Sequence, residues 1–443
     1  MGEHGEAIHD GNFCMDGLVY PDRTVHTGLL EYKNVYRPAR VISYNKESGE
    51  LVLHNYMDFD DLKDYVKISY ELTQDGLVIS KGILPEFSVA PHGEGKTNLK
   101  INVPENGKCY LKLIYHLKKE LPLLDEDHIL GFDEIEVSKE DTKCKLAEKW
   151  IPKTVVDSEL QVNENDTQIH IKGREFAYTI DKRTALFTEM KFAGREYLNH
   201  PMELNIWRAP TDNDMYIKSE WKKAHYDKAY TRAYTTEVVQ GKHGVKITSH
   251  ASVVAETVQK ILDVTITWKI EAAGKIDADI AVTKDDEFPD LPRFGVRMFL
   301  DKKLSAVRYF GMGPQESYCD KHQAASHGLY RADVGDLHED YIRPQENGSH
   351  YDCEYVELNN SRYGIVASAE KAFSFNASYY TQEELEKKTH NYELIESDSV
   401  VFCVDYALNG IGSNSCGPVV LEQYRFDDVL FRFQFTLIPY VKG

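Results

Sequence analysis

Between Lys260 and Val282 the side chains alternate with a period of two. Leu262, Val264, Ile266, Trp268 and Ile270 fall on one face, and Asp263, Thr265, Thr267 and Lys269 on the other. After the turn Ala272-Ala273-Gly274, Ile276, Ala278, Ile280 and Val282 answer them, with Asp277 and Asp279 outside. Successive side chains of an extended strand point to opposite faces, so this segment buries its apolar set as a half-buried hairpin and not as a helix. The pattern returns at Phe431, Phe433, Phe435 and Leu437 against Arg432, Gln434 and Thr436. It is also clear at Leu111, Leu113, Tyr115 and Leu117 against Lys112, Ile114 and His116. The chain is read as all-β.

Its organisation follows from where the runs fall. Strand-like stretches occur at Ala39–Tyr44, Glu50–Met57, Val66–Gln74, Leu77–Leu84, Asn98–Val103 and Lys108–Leu117, separated by turn signals at Asn45–Gly49, Gln74–Gly76 and Glu105–Gly107. Six or so short strands in about 100 residues suggest an immunoglobulin-like sandwich over residues 38–143. A charged linker, Ser138–Lys153, ends it. The stretch beyond, residues 144–443, shows hardly any helical periodicity and reads as one large sandwich of two sheets, since single all-β domains run to this size. Leu29–Arg37 reads as a short helix or exit segment, and helices are expected at Ser219–Arg232 and at Thr381–His390, where Thr381 and Glu384 stand in capping-box spacing.

Of 443 residues, 72 are acidic and 52 basic, a net charge of −20. An acidic surface repels nucleic acid and anionic membrane, so neither is expected as a partner, whereas a neutral ligand is indifferent to it. The seven cysteines form no close pair of the kind zinc sites use, and their number is odd. Reduced thiols are expected. The polar, acidic start MGEHGEAIHD is unlike a signal peptide, and no apolar run approaches membrane-spanning length. A soluble, cytoplasmic protein is the expectation.

Several loops carry enough polar chemistry to weigh. Thr211-Asp212-Asn213-Asp214 follows Pro210, and its dense oxygens would suit Ca²⁺, although the distal Glu and the Gly of an EF-hand are lacking. A hydrogen-bonded Asx turn is the default. Glu316, Asp320 and Glu346 sit among Gly and Pro, where carboxylates ordinarily cap backbone N–H groups. His322, His327, His338 and His350 crowd the same region without HxH or HExxH spacing and are expected to be structural or solvated.

Five stretches, taken in order, resemble the large bacterial β-galactosidases of glycoside hydrolase family 2. They are Asn12–Thr24 (NFCMDGLVYPDRT), Arg208–Asp214 (RAPTDND), Gly311–Tyr318 (GMGPQESY), Pro344–Gly348 (PQENG) and Asn409–Gly412 (NGIG). The first is similar to the end of that family's catalytic barrel, and the other four to motifs of its last domain. The resemblance implies that residues 1–37 are the remnant of a barrel and that residues 38–143 are immunoglobulin-like. It implies that residues 144–443 form a β-supersandwich of the galactose-mutarotase type.

It further implies a chain without the catalytic glutamates, which completes the active site of an oligomeric β-galactosidase. An upstream barrel portion or large subunit would be its partner, and terminal β-galactosides would be cleaved with retention. By resemblance, Phe13 (through its carbonyl) and Asp16 ligate Na⁺. Asp16, Arg208, Asp212, Asn213, Asp214 and Cys416 contact or border the galactoside. Mg²⁺ belongs to the intact enzyme. Two departures stand out: Asp16 replaces the usual Asn, and Cys416 the usual Trp. The alternatives are a stand-alone carbohydrate-binding module and a mutarotase-like protein, the latter requiring a convergent His and Glu in the sandwich cleft.

Overall fold

The computed structural model describes residues 17–139, 142–150 and 160–442, so Phe13, Cys14 and Asp16 and parts of the 138–153 linker lie outside the described residues. The chain divides into two compact units. The first comprises residues 1–145 with 313–315 and 322–329, and the second takes in the rest.

The first unit opens on a turn at the end of the DRT motif. Tyr20 N–H donates to the Thr24 carbonyl (3.0 Å), and the Asp22 carboxylate accepts from Thr24 N–H and Oγ1 (2.9 and 2.7 Å). Helix α1 (Thr27–Val35) follows. The strands are β1 (Ala39–Tyr44), β2 (Glu50–Asn55), β3 (Val66–Gln74), β4 (Leu77–Ile83), β5 (Glu94–Asn98), β6 (Cys109–Leu117) and β7 (Ile129–Glu136), with helix α2 (Leu62–Tyr65) before β3. They form two antiparallel sheets, β1-β2-β5 and β4-β3-β6-β7. Leu51 and Leu53 of one sheet share a core with Ile68, Leu72, Leu111, Leu113 and Tyr115 of the other. Seven short strands in two facing sheets make the expected immunoglobulin-like sandwich.

The second unit holds β8 (Gln161–Glu164), β9 (Gln168–Lys172), β10 (Phe176–Asp181), β11 (Leu186–Phe192), β12 (Arg195–Glu196), β13 (Leu198–Asn205), β14 (Tyr230–Gly241), β15 (Gly244–Val254), β16 (Leu262–Glu271), β17 (Ile276–Lys284), β18 (Arg293–Asp301) and β19 (Ala306–Gly313). After these come β20 (Ser326–Asp333), of which residues 326–329 belong to the first unit, β21 (Ser349–Asn359), β22 (Tyr363–Ser378), β23 (Ser399–Leu408) and β24 (Leu430–Val441). A five-stranded sheet runs β12-β11-β10-β9-β8, and a larger one runs β13-β18-β23-β22-β24-β17-β16-β15-β14. Their facing sides share one core, in which Ile169, Tyr178 and Phe187 meet Ile247, Ile266, Trp268, Ile280 and Phe435. Trp268 is fully buried and donates from Nε1 to the Ala185 carbonyl at 2.8 Å, so the largest apolar side chain of the hairpin also fixes one sheet on the other.

Two local expectations are corrected. The fifth strand is Glu94–Asn98 and not Asn98–Val103: Ile101 and Val103 pack on the core from an irregular segment, while the polar EGKTN supplies the ladder to β2. The helix expected over Ser219–Arg232 is α3 (Ile217–Lys223). It buries Trp221 and Ala224 as the spacing implied, but His225 turns left-handed (φ +58°) and stops it, and β14 starts at Tyr230. Half of the capping box forms: Thr381 Oγ1 accepts from Glu384 N–H (3.1 Å) at the start of α4 (Gln382–Lys387), while the Glu384 carboxylate accepts from Ile395 N–H instead.

Candidate functional site

The loop after β13 is organised by a charge inside the protein. Arg208 has no exposed surface; its guanidinium lies 5.3 Å from the Trp221 ring and grips Asp214 through Nε (3.1 Å) and Nη2 (2.7 Å). The same guanidinium donates to the carbonyls of Asn409 and, at 3.1 Å, Gly410. Asp214 Oδ2 also accepts from Thr211 N–H at 2.9 Å, which closes the loop on itself. Burial disfavours the Arg208 charge, but Asp214 outweighs it and holds the guanidinium above its ordinary value. Arg208 and Asp214 are therefore internal struts, and neither offers a surface to a ligand.

The other motifs fasten to this loop. Asp212 N–H donates to Gln345 Oε1 (3.1 Å), and Gln345 Nε2 donates back to Asp212 Oδ2 (3.3 Å). Glu346 N–H donates to the Ala209 carbonyl (3.0 Å). Asn213 Nδ2 donates to the Gly412 carbonyl (2.7 Å), and its Oδ1 accepts from Ser415 Oγ (2.9 Å). Asp320 accepts from Ile411 and Gly412 N–H (2.9 and 2.7 Å), capping the NGIG turn from beneath. Glu316 accepts from Gly348 N–H (2.8 Å), Lys321 Nζ (2.5 Å) and the Tyr341 hydroxyl. Gly348 must be glycine: its φ is +69°, and a Cβ would lie 2.4 Å from the Leu337 carbonyl. Stretches up to two hundred residues apart in sequence thus meet in one rim.

On that rim Asp212 and Asn213 are half-buried, and Met215, Tyr216 and Cys416 are exposed. These are the side chains an incoming ligand could meet. Asp16 and Phe13, expected for Na⁺, lie outside the described residues. Among the described residues no group of three or more His, Cys, Asp or Glu side chains could hold a metal ion, and the acidic loop weighed for Ca²⁺ spends its oxygens on Arg208, Gln345 and backbone. Glu316 and Asp320 have the capping role foreseen for them. Burial pushes the Glu316 carboxyl up, but Lys321 and its hydrogen bonds bring it below the usual range.

Sequence reasoning missed a second buried pair beneath the rim. Arg293 on β18 binds Asp405 on β23 through two nitrogens (2.7 and 3.3 Å) and Glu346 Oε2 at 3.3 Å. The signal was present as single charges set in apolar strands, LPRFGV and FCVDYA. Two guanidiniums, Arg208 and Arg293, here face three carboxylates, Asp214, Asp405 and Glu346. Burial raises the Glu346 carboxyl, and its Oε1 has no hydrogen-bond partner. Burial raises the Asp405 carboxyl as well, against the pull of Arg293. His350 is also fully buried, held between Tyr309 and Phe375, and burial pushes it down to about 4.

The family described as beta galactosidase small chain matches residues 172–437. The chain belongs to the β-galactosidase small chain family. A second description, beta-galactosidase domain 4, matches residues 51–138, the first sandwich. Among relatives of the family, a protein named beta-galactosidase from Actinobacillus pleuropneumoniae is 44% identical over 99% of this chain, which spans 42% of that protein. Another of that name from Staphylococcus xylosus is 32% identical over 98% of the chain and 43% of its own length. The chain thus spans well under half of the curated relatives it matches. A solved structure titled galactose 1-epimerase from Lactobacillus acidophilus aligns over 65% of this chain and 99% of its own at 8% identity, with a TM-score of 0.36.

Proposed function

We propose that this chain is the carboxyl-terminal portion of a β-galactosidase and that its rim completes the enzyme's active site. The observation that carries the reading is the convergence of Arg208–Asp214, Glu316–Tyr318, Pro344–Gly348 and Asn409–Cys416 on one rim, in a chain whose relatives bear that name. Residues 1–37 finish the catalytic barrel, 38–143 are the immunoglobulin-like sandwich, and 144–443 carry the rim. The two carboxylates that a retaining glycosidase sets about 5 Å apart lie in the upstream portion, and terminal β-galactosides are cleaved there with retention.

Asp212, Asn213 and Cys416 border the galactoside, and Arg208 with Asp214 keeps them in place. Phe13 and Asp16 would hold Na⁺; a carboxylate and a carbonyl are the oxygen donors a hard cation takes. Mg²⁺ serves the intact enzyme, which assembles as an oligomer. Cys109, Cys319, Cys353, Cys403 and Cys416 are free thiols, in keeping with a reducing cytoplasm, and no described helix is long and apolar enough to cross a membrane.

The test uses the exposed cysteine. In the enzyme reassembled with its upstream portion, Cys416→Trp adds an aromatic face where the rim now offers a thiol. KM for an aryl galactoside should fall about two- to twelvefold, from about 0.5–1.5 kcal/mol of ring contact, with kcat held within about twofold. An unchanged KM would remove Cys416 from the rim's role.

A further inference from the structure

The large sheet has a second face whose chemistry the rim does not use. Alternation sends Ile266, Trp268, Ile280 and Phe435 into the core, so their neighbours Lys269, Asp277, Asp279, Arg432, Gln434 and Thr436 stand on the opposite face. Strand register sets these six in rows, with Lys269 opposite Asp277, Asp277 opposite Thr436, and Asp279 opposite Gln434. They are already ordered: Thr436 Oγ1 donates to Asp277 (2.6 Å), and Arg432 holds Asp279 through two nitrogens, one at 2.6 Å. Above these rows opens a cavity of about 740 Å³. It is lined in addition by the 369–373 segment of β22 and by Tyr351, Tyr406 and Tyr424. None of Arg208, Asp212, Asn213, Asp214 and Cys416 lines it.

The wall selects its occupant. The volume falls within the roughly 300–1,000 Å³ of small-ligand sites. The cavity's cations, Lys269, Lys371, Arg425 and Arg432, are outnumbered by the carboxylates Asp277, Asp279, Asp352, Glu370 and Asp428, and Arg432 is engaged bidentately by Asp279, so the wall offers an anion no net positive charge. A purely apolar ligand would strip water from the polar rows without replacing their hydrogen bonds. A neutral polyhydroxylated molecule satisfies both demands, with hydroxyls for the carboxylates and amides and C–H faces for the tyrosines. No histidine lines the cavity among the described residues. The convergent His and Glu needed for anomer exchange are not assembled there, and binding is what this wall can do.

We propose that this cleft is a saccharide-binding site that holds a neutral oligosaccharide over the Asp279–Gln434 row and against Tyr406 and Tyr424. The proposal does not rest on the galactosidase reading: the residues it invokes, Asp279, Gln434, Tyr406 and Tyr424, are not those of the rim, although Tyr318 also lines the cleft.

Calorimetric titration of the full chain with galactotetraose, cellotetraose and maltotetraose tests it, with a sulfated tetrasaccharide as the anionic control. Saturable binding of at least one neutral tetrasaccharide is expected, and Gln434→Ala and Tyr424→Ala should each weaken it about tenfold, equivalent to about 1.4 kcal/mol. Gln434 is exposed, so its variant stays informative even if Tyr424→Ala unfolds. Three results would overturn the proposal: no saturable binding of any neutral probe, affinity unaltered by Gln434→Ala in a folded protein, or tighter binding of the sulfated sugar.

Discussion

The Arg208–Asp214 pair makes the sharpest demand on stability. Both side chains are buried, at 0% and 2% exposure, so Asp214→Asn leaves a guanidinium uncompensated in a low-dielectric interior. Breaking such a pair from one side costs about 3–5 kcal/mol. Against a typical total of about 5–15 kcal/mol, this is about a fifth or more of the unit's stability. For a unit of this size about 2 °C accompanies each kcal/mol, so the thermal midpoint should fall by about 6–10 °C.

The double variant Arg208→Met with Asp214→Asn removes the orphaned charge. It should recover at least about 1–2 kcal/mol of the loss, leaving the Asn409 and Gly410 carbonyls without their donor at about 1 kcal/mol each. Chemical denaturation followed by tryptophan fluorescence reads both values, since Trp221 lies beside the guanidinium. A loss below about 1 kcal/mol for Asp214→Asn, or a double variant less stable than the single, would refute the strut argument.

Two pH-dependences follow from the groups beneath the rim. His350 is pushed down to about 4 by burial against about 6.5 unfolded, so its contribution is fully present above pH 6.5 and is lost as pH falls toward 4, by about 3 kcal/mol in all. His350→Phe should flatten that limb in midpoints measured from pH 4 to 7, and an unaltered limb would exclude His350 as its source. Glu346 has the opposite sign: burial raises its folded value, so its contribution is full below the unfolded value near 4.5 and is lost as pH rises through the raised one. Glu346→Gln should therefore be more stable than the parent at pH 8 and gain little at pH 4, which melting curves at the two pH values decide.

The fold was legible where one face of a strand is apolar. β1 and β3 run from Ala39 to Tyr44 and from Val66 to Gln74 as read, and Trp268 and Phe435 point inward as their period requires. Legibility failed where the ladder is made by residues without an apolar face, as in Glu94–Asn98, or where one left-handed residue, His225, ends a helix that composition would continue. The rim was legible only in part. Its motifs mark their own loops, but the bond from Arg208 to the Asn409 carbonyl joins positions 201 residues apart, and no local pattern encodes that distance. Arg208 also shows that a residue in a recognisable motif can be structural: with no exposed surface, it braces Asp214 and the Asn409 and Gly410 carbonyls.

The central claim is that this chain completes an active site whose reacting carboxylates lie elsewhere. The most direct measurement is hydrolysis of a nitrophenyl β-galactoside by this chain alone, by the upstream barrel portion alone, and by the two mixed. The account expects neither portion to release nitrophenol above background and the mixture to do so, with Asp214→Asn weakening the recovery. Sustained hydrolysis by this chain alone would contradict it, and would place the reacting carboxylates among residues assigned here to capping and support.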